Sequence, residues 1–144
     1  LRYACKLLAE PKNKKPGMSI HPFLAIGIGA MFGAWLRWGL GLWLNPVFPT
    51  VPFGTLTANL LGGYLIGLAV AFFGHSASLP PEWRLFAVTG FLGALTTFST
   101  FSAEVTTLLL RGQLGWAFAA AAAHLFGSLS LTALGIWTFK LLKG

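Results

Sequence analysis

Four apolar stretches dominate this chain, at about residues 22–44, 53–73, 84–110 and 114–142, and polar or proline-bearing links join them. Residues 53–73 hold no charged side chain at all. About 20 residues of helix cross the hydrocarbon of a bilayer, so each stretch is long enough to span it. In lipid every backbone polar group must be satisfied within the segment, which leaves helices or closed barrels. Stretches of this length predict an all-α integral membrane protein with four transmembrane helices. Composition agrees: 56% of the 144 residues are hydrophobic and 9% are charged, against about 25% charged in a soluble domain.

The third stretch is a poor helix at its centre. From Thr96 to Ser102 it holds five hydroxyl residues and two phenylalanines, with Gly90 and Gly93 upstream. Hydroxyl side chains compete for backbone hydrogen bonds and loosen a helix. The expected course is a helix that breaks mid-membrane between Leu95 and Thr100 and restarts into Glu104. Broken backbone at that depth is tolerated where protein buries it or where it lines a watery cavity, and transport proteins aim such half-helix ends at ions. The other reading of the hydroxyls is interhelical hydrogen bonding.

Taken in order, residues 1–17 read as a separate basic extension, disordered or non-native, with Met18-Ser19-Ile20 as a natural start and residues 18–144 as the four-helix transmembrane domain. The extension is too charged for a signal peptide. The first span carries Gly29 and Gly33 at the spacing for close helix packing. Its Arg37, between Trp35 and Trp38, either snorkels to the interface or supplies a vestibule charge that attracts anions. Three prolines in residues 45–52 mark a loop.

In the second span Thr55 and Asn59 share a helix face. Asn59 is either glue between helices or a pore group with two N–H donors for an anion. Gly62, Gly63 and Gly67 extend the packing strip. Arg111-Gly112-Gln113 reads as a tight turn. In the fourth span His124, Ser128 and Thr132 recur every four residues as a polar stripe, of which Ser128 and Thr132 are taken as pore-lining with Thr55. Glu104 is the one acid inside a span, read as a structural cap on amides or hydroxyls or else as a coupling acid.

Outside the extension, basic residues divide almost evenly between the two sides of a four-span chain: Arg84, Lys140 and Lys143 on one, Arg37 and Arg111 on the other. So weak a positive-inside bias permits insertion in both orientations and an antiparallel homodimer. The net charge of +7 concerns topology and lipid headgroups; no aromatic-interleaved basic patch points to nucleic acid. A single cysteine and three scattered histidines give no metal cluster, and no acid pair or Ser/His/Asp set points to an enzyme.

Gly54-Thr55-Leu56 with Asn59, Gly90-Phe91-Leu92-Gly93, and the run Thr97-Phe98-Ser99-Thr100-Phe101-Ser102 leading to Glu104 resemble the Fluc (CrcB) family of fluoride channels. The resemblance extends from about Ile20 to the C-terminus, through Trp35-Leu36-Arg37-Trp38 and Gly127-Ser128. It implies a dual-topology antiparallel dimer in the inner (plasma) membrane of a bacterium, passively exporting fluoride to relieve its toxicity. By the same resemblance Phe98 and Phe101 turn ring edges to fluoride, Asn59 and Ser102 line the pore, and backbone carbonyls of Gly93 and Thr96 hold a structural sodium ion at the dimer centre. Aromatic ring edges are electropositive, so they face an anion without trapping it. Two other functions remain open from the residues: a small proton-coupled multidrug exporter, for which Glu104 is the available acid, and a non-transporting membrane scaffold.

Overall fold

The computed structural model describes residues 20–48, 50–76 and 78–143, and the basic extension at 1–17 lies outside the described residues. Among the described residues, four helical spans are long and apolar enough to cross a membrane: Ile20–Val47, Phe53–His75, Pro81–Leu110 and Leu114–Lys143. No strand occurs among the described residues. The chain is a multi-pass, all-α membrane protein, and its helices start within a few residues of the expected positions.

The first helix, Ile20–Leu44, runs into a short 3₁₀ turn at Asn45–Val47. Pro46 fits such a turn because its ring fixes φ and it has no N–H to satisfy. The loop then folds back: Asn45 Oδ1 accepts from Gly54 N at 2.8 Å, capping the start of the second helix, Phe53–His75. Phe48 stacks on Phe53 and meets Trp116, closing this end over Val51, Leu108 and Ala117.

The third span is built of unlike pieces. A turn of α-helix, Pro81–Arg84, opens into a π-helix at Leu85–Leu92, then returns to α geometry at Gly93–Leu95. Thr96 and Thr97 take extended backbone, with ψ of 152° and 114°. A new helix, Phe98–Leu110, follows, with Thr97 as its N-cap: the Thr97 hydroxyl accepts from Thr100 N at 3.2 Å. A Thr at this position satisfies one of the orphan amides of a helix start. Gly112 then turns the chain with φ of 71°, a left-handed conformation open to glycine, and the fourth helix, Leu114–Lys143, begins.

Glycine governs the packing. A Cβ on Gly29 or Gly33 would meet the backbone of the π-helical stretch at Phe86 or Phe91, and one on Gly90 would meet Ile26 O. The first helix and the upstream half of the third span therefore touch backbone to backbone. The second and fourth helices meet the same way, through Gly63 and Gly67 against Ser128 and Thr132 and through Gly135 against Tyr64. Small residues permit such close approach where lipid offers no hydrophobic drive to association. Ala58, Leu92 and Leu95 form the buried centre between these two pairs.

Candidate functional site

The site is a cavity of about 470 Å³ beside the extended segment. Its wall takes Asn59 and Gly63 from the second helix, Gly93, Thr96, Thr97, Phe98 and Phe101 from the third span, and His124, Ser128 and Thr132 from the fourth helix. The sequence places these residues on three separate segments, and the fold brings them to one place.

Asn59 is the hinge of the arrangement. Its Oδ1 accepts from Thr97 N at 2.8 Å, and its Nδ2 donates to Thr97 O at 3.1 Å. The amide thus pairs with a peptide unit as a neighbouring strand would, at the point where the helix has released it. The second Nδ2 hydrogen faces His124 Nδ1 at 3.1 Å. Both amide hydrogens of Asn59 thus have protein partners, and the side chain also lines the cavity.

This pairing has a consequence for the carbonyls. In an uninterrupted helix Thr97 N would donate to Gly93 O and Thr100 N to Thr96 O. Here the first goes to Asn59 Oδ1 and the second to the Thr97 hydroxyl. Gly93 and Thr96 are thus among the residues at the break whose carbonyls lose their helical donors. Leu92 O, one turn earlier, keeps partners in Thr96 N at 3.0 Å and the Thr96 hydroxyl at 2.9 Å.

Phe98 and Phe101 both reach the cavity and meet edge to face, centroids 5.4 Å apart. Phe98 is 80% exposed, a ring held on the open side. Phe101 leans instead on the His124 imidazole, centroids 4.6 Å apart, and His124 is buried. Ser128 lines the wall, while the Thr132 hydroxyl stands between two carbonyls, Gly63 O at 2.9 Å and Ser128 O at 2.8 Å.

The remaining expected site residues lie outside the cavity lining. Thr55, one helical turn from Asn59, is buried and donates to Glu104 Oε1 at 2.6 Å. Glu104 is thus bound to a hydroxyl, as the cap reading of that acid expects. The Ser102 hydroxyl donates to its own helix at Phe98 O, 2.8 Å away. Arg37 is half-buried on the first helix and lines no part of the cavity. Two residues that belong to the site were not assigned to it from sequence. Thr97 supplies the clamped peptide, and its place inside the hydroxyl run was the available signal. His124 heads the polar stripe of Ser128 and Thr132, and that spacing was its signal.

Residues 24–136 match the family described as CrcB-like protein, Camphor Resistance (CrcB). The chain is 63% identical over 123 residues to a protein of Nitrosospira multiformis, covering 85% of this chain and 96% of that one. It is 63% identical over 125 residues to one of Pseudomonas putida (87% and 98% covered). It is 62% identical over 124 residues to one of Tolumonas auensis (86% and 98% covered). Each of these relatives bears the name fluoride-specific ion channel FluC. The chain belongs to the CrcB family, a family of membrane ion channels and not of enzymes.

Proposed function

We propose that this protein is a passive, fluoride-selective channel that lets the ion leave the cytoplasm. The observation that carries the reading is one cavity uniting Asn59, Phe98, Phe101, Ser128 and Thr132 beside an interrupted helix, in a chain whose relatives are named as fluoride-specific channels. Fluoride is small and strongly hydrated, so a path must replace water's hydrogen bonds. Hydroxyls and electropositive ring edges do so without the deep binding that would stop exit.

In this reading the extended Thr96–Thr97 segment lies at membrane depth, and a second copy of the chain, inverted in the plane of the bacterial inner membrane, completes the path. The exposed Phe98 ring and, outside residues 1–17, the near-even division of basic residues between the two sides support that dimer. Thr55, Ser102 and Arg37 belong to the approaches of the path, with Arg37 as an entrance charge. A structural sodium ion at the dimer centre would be held by the carbonyls of Gly93 and Thr96. The residues fit such an ion: their carbonyls are among those whose helical donors are drawn away at the break, and carbonyl oxygen suits a hard cation. The ion would neutralise two helix ends meeting in apolar surroundings.

The test is fluoride efflux from liposomes holding the purified chain, read with a fluoride electrode and with chloride efflux as control. Fast fluoride loss that needs only charge compensation, with chloride retained, is expected. Phe98→Ile and Phe101→Ile should each cut the flux by about tenfold or more, given the cost of losing one charge-stabilising group. Asn59→Asp should block it, because a second oxygen would then face Thr97 O and the anion. No efflux from a folded protein would overturn the channel reading and turn attention to proton-coupled export through Glu104.

A further inference from the structure

The Asn59 amide has its orientation set by chemistry. Thr97 N is a donor and nothing else, so the atom facing it at 2.8 Å is Oδ1. The nitrogen Nδ2 is then the atom that faces both Thr97 O and His124 Nδ1. An amide nitrogen carries hydrogens and no available lone pair. His124 Nδ1 must therefore be the acceptor, and in the neutral ring the proton sits on Nε2.

We propose that His124 is a positioning residue of the anion path: its unprotonated Nδ1 holds the Asn59 amide against the Thr97 peptide, so that acidification lowers fluoride flux. Protonation puts an N–H on Nδ1, and two donors then face each other across 3.1 Å. One must turn away. If the ring turns, Phe101 loses the surface it leans on. If the amide turns, Thr97 loses its clamp. Thr97 caps the helix that carries Phe98 and Phe101, so loss of the clamp displaces both rings, and turning of the imidazole displaces Phe101.

His124 is packed between the second helix and Phe98–Leu110. The second helix presents the Asn59 amide to it, with Tyr64 and His75 further along. Phe98–Leu110 presents Phe101 and, one turn on, Glu104, whose Oε1 is bound to Thr55. Its own helix holds Lys140 and Lys143 at the far end. Glu104 is the one acid on these elements, and it is held away on a hydroxyl. The imidazolium thus has no carboxylate set opposite it, and its proton goes on at the expense of the Asn59 contact.

The inference rests on the channel reading, and the experiment separates the two. Fluoride efflux from proteoliposomes of the full chain is followed from about pH 8 to about pH 4.5, a range reaching well below the ordinary histidine value of about 6.5, with protein-free liposomes subtracted for leakage of the acid. Wild-type flux is expected to fall about threefold or more across that range. His124→Asn keeps an acceptor oxygen that does not titrate, so its flux should be flat with pH and well above that of His124→Leu. His124→Leu leaves a buried donor unmatched and should lose about tenfold at every pH.

A His124→Asn profile as steep as wild type, or wild-type flux that rises on acidification, would overturn the proposal. The ¹⁵N NMR signals of the imidazole in bilayers, assigned to His124 by their loss in His124→Asn, read the tautomer without any flux. A proton on Nε2 at neutral pH is expected, and one on Nδ1 would overturn it. Wild-type protein that carries no fluoride at any pH would instead defeat the channel reading, and the tautomer would still decide the role of His124.

Discussion

The two halves of the third span are held by different physics. Upstream of Leu95 the chain is fixed by contact between backbones, with Gly29 and Gly33 against the π-helical stretch Leu85–Leu92 and Gly90 set against Ile26 and Ala30. There is little room there and little polarity. Downstream, Phe98–Leu110 is tied to its neighbours by side-chain hydrogen bonds at two levels, Asn59 to Thr97 and Thr55 to Glu104. Packing against glycine fixes position and resists change. Hydrogen bonds through single side chains fix orientation and yield when one group changes. The upstream half is thus the frame, and the downstream half, which carries both cavity phenylalanines, is the part a small chemical change can move.

The frame should break first and hardest. In Gly33→Leu the added Cβ runs into the Phe91 carbonyl and the Leu95 amide, which are backbone and cannot step aside. Overpacking of a well-filled interior costs about 1–3 kcal/mol and more where backbone must move. We expect little folded protein in detergent by size-exclusion chromatography. A stable, conducting Gly33→Leu would erase the distinction between the two halves.

Asn59→Leu comes next and should separate stability from function. It removes the partners of Thr97 N and Thr97 O and the donor to His124. Buried unpaired polar groups cost about 1–3 kcal/mol each in general, though hydrogen bonds within membranes average nearer to about 0.6 kcal/mol. The expected result is a protein that still purifies folded, with a melting point lower than wild type, yet loses fluoride flux about tenfold or more. If folding is lost to the same degree as in Gly33→Leu, the downstream half is as much a frame as the upstream one.

Much of this arrangement was legible in the chain itself. Apolar length set the four spans, and the hydroxyl run from Thr96 to Ser102 marked the segment where Thr96 and Thr97 leave helical geometry. The glycine spacings marked where helices touch. The π-helical stretch was hidden, because nothing in residues 85–92 announces a wider turn, and the close approach of Gly90 to the first helix is a tertiary contact. The partners of Asn59 were hidden for the same reason. A lone amide in an apolar span must meet something, but whether that is an anion, a peptide or an imidazole depends on segments 38 and 65 residues away. His124 was visible only as the head of a stripe.

The smallest expected effect concerns the second tie of the downstream half. Thr55→Val removes the donor to Glu104 Oε1 while keeping the shape of the side chain. One interhelical hydrogen bond in a membrane is worth about 0.6 kcal/mol on average, so a shift of that order in denaturation is expected. Glu104→Gln keeps an oxygen able to accept from Thr55 and should shift it less. Flux is the sharper readout. Should Glu104→Gln stop fluoride while the fold stands, Glu104 would be part of the path or of its coupling. Flux preserved in Glu104→Gln, with Thr55→Val only slightly destabilised, would mean that this level ties the helix down and that the chemistry of the downstream half is confined to the turn of Asn59, Thr97 and His124.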